Sequence, residues 1–243
     1  MNKHLLLIGD LGAGTNLVKN LCLLDKSYDC PWQDPFNFFL TMYKDTDFNN
    51  WLFYEDQTRF WQKRYGFDLS NNLESRDLKN INRTVFINHS AFWQQDQLDK
   101  LKDSCDIIFL APMSDKGLRW QIRAYVEKKG IDKLHNFSFT NPSIEKQSYI
   151  DQHGLENYYK FNVLNMYEII KHRRDQLAKK LTVFDMSNAY KGHNDIVQYF
   201  NTLGTNIPTH LANELFNEWY SKHWDYTTTD QWMWNKRYFN GIN

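Results

Sequence analysis

Between Gly9 and Asn16 the chain reads GDLGAGTN, and the chemistry open to such a stretch is the holding of an anion. An apolar run precedes it, glycine stands at positions 9, 12 and 14, and a stretch with helical spacing follows. Backbone N–H groups at the start of a helix point outward without intrahelical partners, and the helix dipole favours negative charge there. Gly9, Gly12 and Gly14 let the backbone curl closely around an anion. Thr15 adds a hydroxyl donor and Asn16 an amide donor. The glycine order G-x-x-G-x-G is not the dinucleotide fingerprint G-x-G-x-x-G, whereas two glycines with four residues between them fit a phosphate loop. Thr15 and Asn16 occupy the places where an ATP-hydrolysing loop carries lysine and a magnesium-holding hydroxyl, so ATP chemistry is disfavoured. A loop that holds a single phosphate needs neither. The same residues also suit a tight strand-to-helix turn with no ligand.

A proton acceptor is expected at His89, which ends the run TVFINH. Ligands gather at the carboxyl ends of strands in open parallel sheets, and histidine titrates near neutral pH. Capping of the turn before a following helix is its alternative use. Asp10, inside the loop, is another possible base, but its charge would repel a phosphate, so it is expected to point away. After the run IIFLAP come Ser114, Lys116, Arg119 and Arg123. Arg119 and Arg123 are spaced to share one helix face, where paired hydrogen bonds to phosphate oxygens suit arginine. A solvated basic face is the alternative. His172 belongs to the basic stretch KHRR at a helix end, where positive charge suits the dipole. His193, His210 and His223 have no ligand-like spacing, and no metal site is expected.

These residues need elements to place them. His4–Gly9 reads as a buried strand and residues 14–25 as a helix with Leu17, Val18, Leu21 and Leu24 on one face. Further strands are expected at 82–90, 105–112, near Phe137 and at 181–186. Helices are expected at 91–102, 116–129, 155–180, 195–203 and 209–222, and within the aromatic-rich stretch 34–66. Short apolar strands alternating with helices imply a parallel sheet covered on both faces. The expected fold is one three-layer α/β domain over residues 1–243, with an insertion between its first and second strands.

Composition limits the partners. Aromatic residues make up 16% of the 243 residues, enough for a packed core. The 29 basic and 29 acidic residues balance, so a uniformly basic nucleic-acid surface is not expected. No stretch approaches the roughly 20 apolar residues that span a bilayer, and the apolar start is too short for a signal peptide. Three cysteines, Cys22, Cys30 and Cys105, read as reduced thiols of a cytoplasmic protein. The stretches WLFYEDQTRFW and WMW suit packing more than an acceptor pocket.

The stretch GDLGAGTNLVKNLCLL resembles the 5′-phosphate loop of the sulfotransferases, in which a basic residue precedes Ser-Gly-Thr-Thr and a helix. The stretch LTVFDMSNAYKGHNDIVQYFNTLGTNIPTHLANELFNEWYSKH is similar to that family's closing pattern of strand, helix ending F-x-x-L-G, and final helix with Trp and His. The resemblance implies a P-loop-type fold and 3′-phosphoadenosine 5′-phosphosulfate (PAPS) as the donor. It implies sulfonyl transfer to a hydroxyl or amine of a small-molecule or glycan acceptor, with a general base and no metal. Ala13, Gly14, Thr15 and Asn16 fall on Ser-Gly-Thr-Thr, so these residues with Gly9 and Gly12 would hold the 5′-phosphate. Ser114, Arg119 and Arg123 would hold the 3′-phosphate, and His89 would deprotonate the acceptor.

Two positions depart from the family pattern. Gly12 stands where the basic residue belongs, leaving Lys19, one turn into the helix, either to reach back or to lie solvated. Ala111 or Pro112 stands where the 3′-phosphate arginine belongs. The other readings are a nucleotide or small-molecule kinase with a degenerate loop, dependent on magnesium and ATP, and a non-catalytic protein of the same fold.

Overall fold

The computed structural model describes residues 3–10, 12–30, 32–44, 78, 81–89, 95–129, 146–221 and 226–229. Among the described residues four strands form one all-parallel sheet: β1 (His4–Gly9), β2 (Val85–His89), β3 (Cys105–Ala111) and β4 (Thr182–Asp185), in the order β2-β1-β3-β4. The register sets Leu7 of β1 beside Ile87 of β2 and Ile108 of β3. All six residues of β1 are buried, as befits a strand with a neighbour on each edge and helices above and below. The strand expected at 82–90 begins later, at Val85, and the one expected at 181–186 is shorter at both ends. The strand expected near Phe137 lies outside the described residues, as do positions 45–66 of the aromatic-rich stretch.

Alternation along the strands divides the core. Leu5 and Leu7 of β1, Ile108 and Leu110 of β3 and Phe184 of β4 point to one face. There they meet α1 (Thr15–Cys22), α2 (Pro35–Lys44), α4 (Asp115–Lys129) and, after β4, α7 (Met186–Ala189), α8 (Asn194–Thr202) and α9 (Thr209–Ser221). Leu6 and Ile8, Phe86, Ile107 and Phe109 point to the other face, against α3 (Gln95–Leu101) and the end of α6 (Leu155–Leu177). A third cluster joins Leu118, Ile122 and Val126 of α4 to Val163, Met166 and Ile170 of α6. The result is the three-layer α/β arrangement expected from the alternation of strands and helices. A helix not expected, α5 (Lys146–His153), precedes α6. No helix among the described residues is long and apolar enough to cross a membrane.

The amino edge of the sheet is fastened by His4 and Arg83. The Nδ1 atom of His4 accepts the Thr84 N–H at 3.1 Å, so its proton resides on Nε2, 3.0 Å from the Leu78 carbonyl. Arg83 donates to the Lys3 carbonyl, the Ser27 hydroxyl and the Tyr28 hydroxyl, and its guanidinium lies 4.1 Å from the Tyr28 ring centre. Burial, ahead of the positive charge of Arg83, holds the His4 pKa below its ordinary value, and the Leu78 carbonyl opposes both. The unfolded chain therefore takes up a proton as pH falls below about 6.5 while the folded chain resists it. Stability is fully present above that pH and declines as pH drops from there to the folded-state pKa. His4→Asn should flatten the fall in melting temperature between pH 7.5 and pH 5.5; an unaltered slope would place the acid sensitivity elsewhere.

Candidate functional site

The chain leaves β1 at Gly9 and turns at once. The Ala13 N–H bonds the Asp10 carbonyl at 3.1 Å, closing a four-residue turn whose third residue, Gly12, has φ 80°. Gly14 follows at φ 82° and serves as the N-cap of α1. Both values favour glycine, because a β-carbon there approaches the carbonyl oxygen that follows. Glycine also brings no capping side chain, and the first i→i−4 bond at this end runs from Val18 N–H to the Gly14 carbonyl, 3.2 Å. The amides of Thr15, Asn16 and Leu17 thus stand outside the helical ladder at the positive end of α1.

This donor set differs from the expected one. The Ala13 amide closes the turn, and Gly9 is paired within the sheet with His89 on one side and Leu110 on the other. The apolar side chain of Leu17 marks it as core, which it is, while its amide still belongs to the helix start. Thr15 packs its methyl group toward Gly9, where an added β-carbon would lie 2.5 Å from it.

The turn is walled by elements far along the chain. Tyr190, after α7, donates its hydroxyl to the Ala13 carbonyl at 3.3 Å and stacks on Trp120 of α4 at 4.1 Å. Met186 lies under Gly14, and the Gln121 carbonyl lies under Gly12. The exits of β3 and β4 are tied together. Asp185 accepts from the Met113 N–H at 2.9 Å and the Ser187 N–H at 2.8 Å, while Ser187 Oγ accepts from the Ser114 N–H at 3.1 Å and the Ser114 hydroxyl at 2.9 Å. Asp185 therefore ends β4 and caps α7, which is why the strand stops one residue before Met186.

Asp10 is turned to a partner on a distant helix. It is 6% exposed and pairs through Oδ1 with Arg173 of α6, 163 residues along the chain, whose side chain remains 20% exposed. The next residue, Arg174, reaches the Pro112 carbonyl at 3.3 Å. These two arginines pin the last turns of α6 to the carboxyl ends of β1 and β3. At that edge the chain order reverses from β2 to β3 across β1, the crevice where open α/β sheets take ligands.

The remaining expected residues divide. His89 is the last residue of β2 and the register partner of Gly9, so its backbone adjoins the start of the turn. The surroundings of its ring lie outside the described features. Ser114 caps α4, its oxygen accepting the Gly117 N–H at 3.0 Å, and so is committed to the helix. Arg119 and Arg123 do lie close together around α4, but Gln121 is the residue that meets Gly12. At 100° per residue the two arginines stand far around the helix from that contact. Arg119 acts on Tyr167 of α6, and Arg123, which is buried, donates to Thr228 at 2.9 Å. Ser114, Arg119 and Arg123 thus make these contacts away from the side of α4 that meets the turn.

Lys19 is not solvated. It is 0% exposed, and burial holds its pKa well below the usual lysine value, with Cys30 pulling weakly the other way. Desolvation disfavours the charged form, the opposite of what a charge-stabilising lysine needs. Burial likewise pushes the Cys30 thiol up to about 11 and the Cys105 thiol to about 12, so neither is activated. No group of metal-ligating side chains occurs among the described residues. Comparison with protein-family models, with curated proteins and with solved structures finds no match for this chain.

Proposed function

We propose that this chain transfers a sulfonyl group from PAPS to a hydroxyl or amine of a small-molecule or glycan acceptor. The supporting observation is the uncapped start of α1 behind two left-handed glycines, at the crevice between β1 and β3. An amide cradle at a helix start, with its one carboxylate neutralised by Arg173, suits the 5′ end of the donor. PAPS when bound supplies the sulfonyl group and a phosphate leaving group. The amides of Thr15, Asn16 and Leu17 orient that end, and the Thr15 hydroxyl and Asn16 side-chain amide add donors. Donors aimed at developing negative charge contribute most when fixed beforehand, and the turn is fixed by Tyr190 and Met186. His89, beside Gly9, takes the acceptor's proton. Metal ions play no part in this reading.

One observation favours a second reading, a non-catalytic anion-binding protein of the same fold. A β-carbon at Gly12 would lie 2.6 Å from the Gln121 carbonyl, so the loop has no room for a cation of its own there. Calorimetry with adenosine 3′,5′-bisphosphate, against ATP with magnesium, tests both readings. Bisphosphate at 100 times its dissociation constant should stabilise the fold by about 2.7 kcal/mol. Thr15→Ala should weaken that binding, and His89→Ala should preserve it while lowering turnover by about a hundredfold or more. Bisphosphate binding without turnover on any acceptor supports the second reading. Stabilisation by ATP with magnesium alone would replace both with a kinase.

A further inference from the structure

No further inference is drawn: the strongest candidate, the pair of amines from Lys116 and Lys191 that lie 5.2 Å and 5.8 Å from the centre of the Tyr226 ring past the exits of β3 and β4, consists of lysines already seated on that ring, and nothing in the structure points to a ligand between them.

Discussion

Gly12→Lys, which places a basic residue where a sulfotransferase-like loop carries one, is expected to destabilise the chain and abolish anion binding. The position has φ 80°, where an L residue costs about 1–2 kcal/mol. The new β-carbon would also meet the Gln121 carbonyl at 2.6 Å. That oxygen is helix backbone, and α4 is held by Leu118 and Ile122 against α6, so relief requires the turn itself to move. The combined cost is about 3 kcal/mol, or roughly 6–12 °C in melting temperature for a chain of this size. The turn delivers Gly14 and the first amides of α1, so displacing it disperses the donor set as well. Gly12→Ala should lose nearly as much stability, because the strain begins at the β-carbon. A Gly12→Lys protein with parental melting temperature and bisphosphate affinity would mean that the turn is not built as described.

The second large effect has the opposite sign. Lys19→Met should stabilise the fold by about 1–3 kcal/mol at pH 7, since an apolar side chain of similar length fills the same interior without the desolvation of an amine. The pH dependence identifies the cause. The unfolded chain keeps Lys19 protonated up to about pH 10.4, whereas folding lowers its pKa. The penalty on the parent chain therefore lessens as pH rises toward the ordinary lysine value, and the advantage of the variant should narrow between pH 7 and pH 9.5. Tyr190 and Cys22, whose pKa values burial raises, titrate equally in both proteins and cancel in the difference. Urea unfolding at the two pH values measures it. A variant less stable than the parent at both would show that the amine's interactions outweigh its desolvation.

The contrast between these two positions shows what could be read from the residues in order. The β1 run, the glycine spacing and the helical period of Leu17, Val18 and Leu21 are local patterns, and they located the turn and its strand correctly. The alternation of strands with helices led to a parallel three-layer sheet, and the structure agrees. Lys19 and Arg173 defeat local reading for one reason. A charged residue on a helix looks solvated whatever flanks it, and only the packing of distant elements shows that one is buried and the other paired with Asp10. Arg119 and Arg123 were paired correctly by spacing, yet spacing is silent about which side of a helix meets a given loop. The weakly patterned stretch 146–153 carries no apolar stripe, so its sequence does not announce α5.

The strand order has a bearing on how the chain comes to be folded at all. Of these four strands β1 is made before the others, yet it occupies an inner place, between a strand beginning at Val85 and one beginning at Cys105. On a growing chain the six apolar-rich residues of β1 must wait through the synthesis of roughly a hundred more before both edges are covered, and parallel pairings of that span form slowly. Asp10 waits longer still for Arg173. The glycine turn is thus translated early and completed late, and a chain interrupted before α6 would present the turn without the arginine that neutralises it.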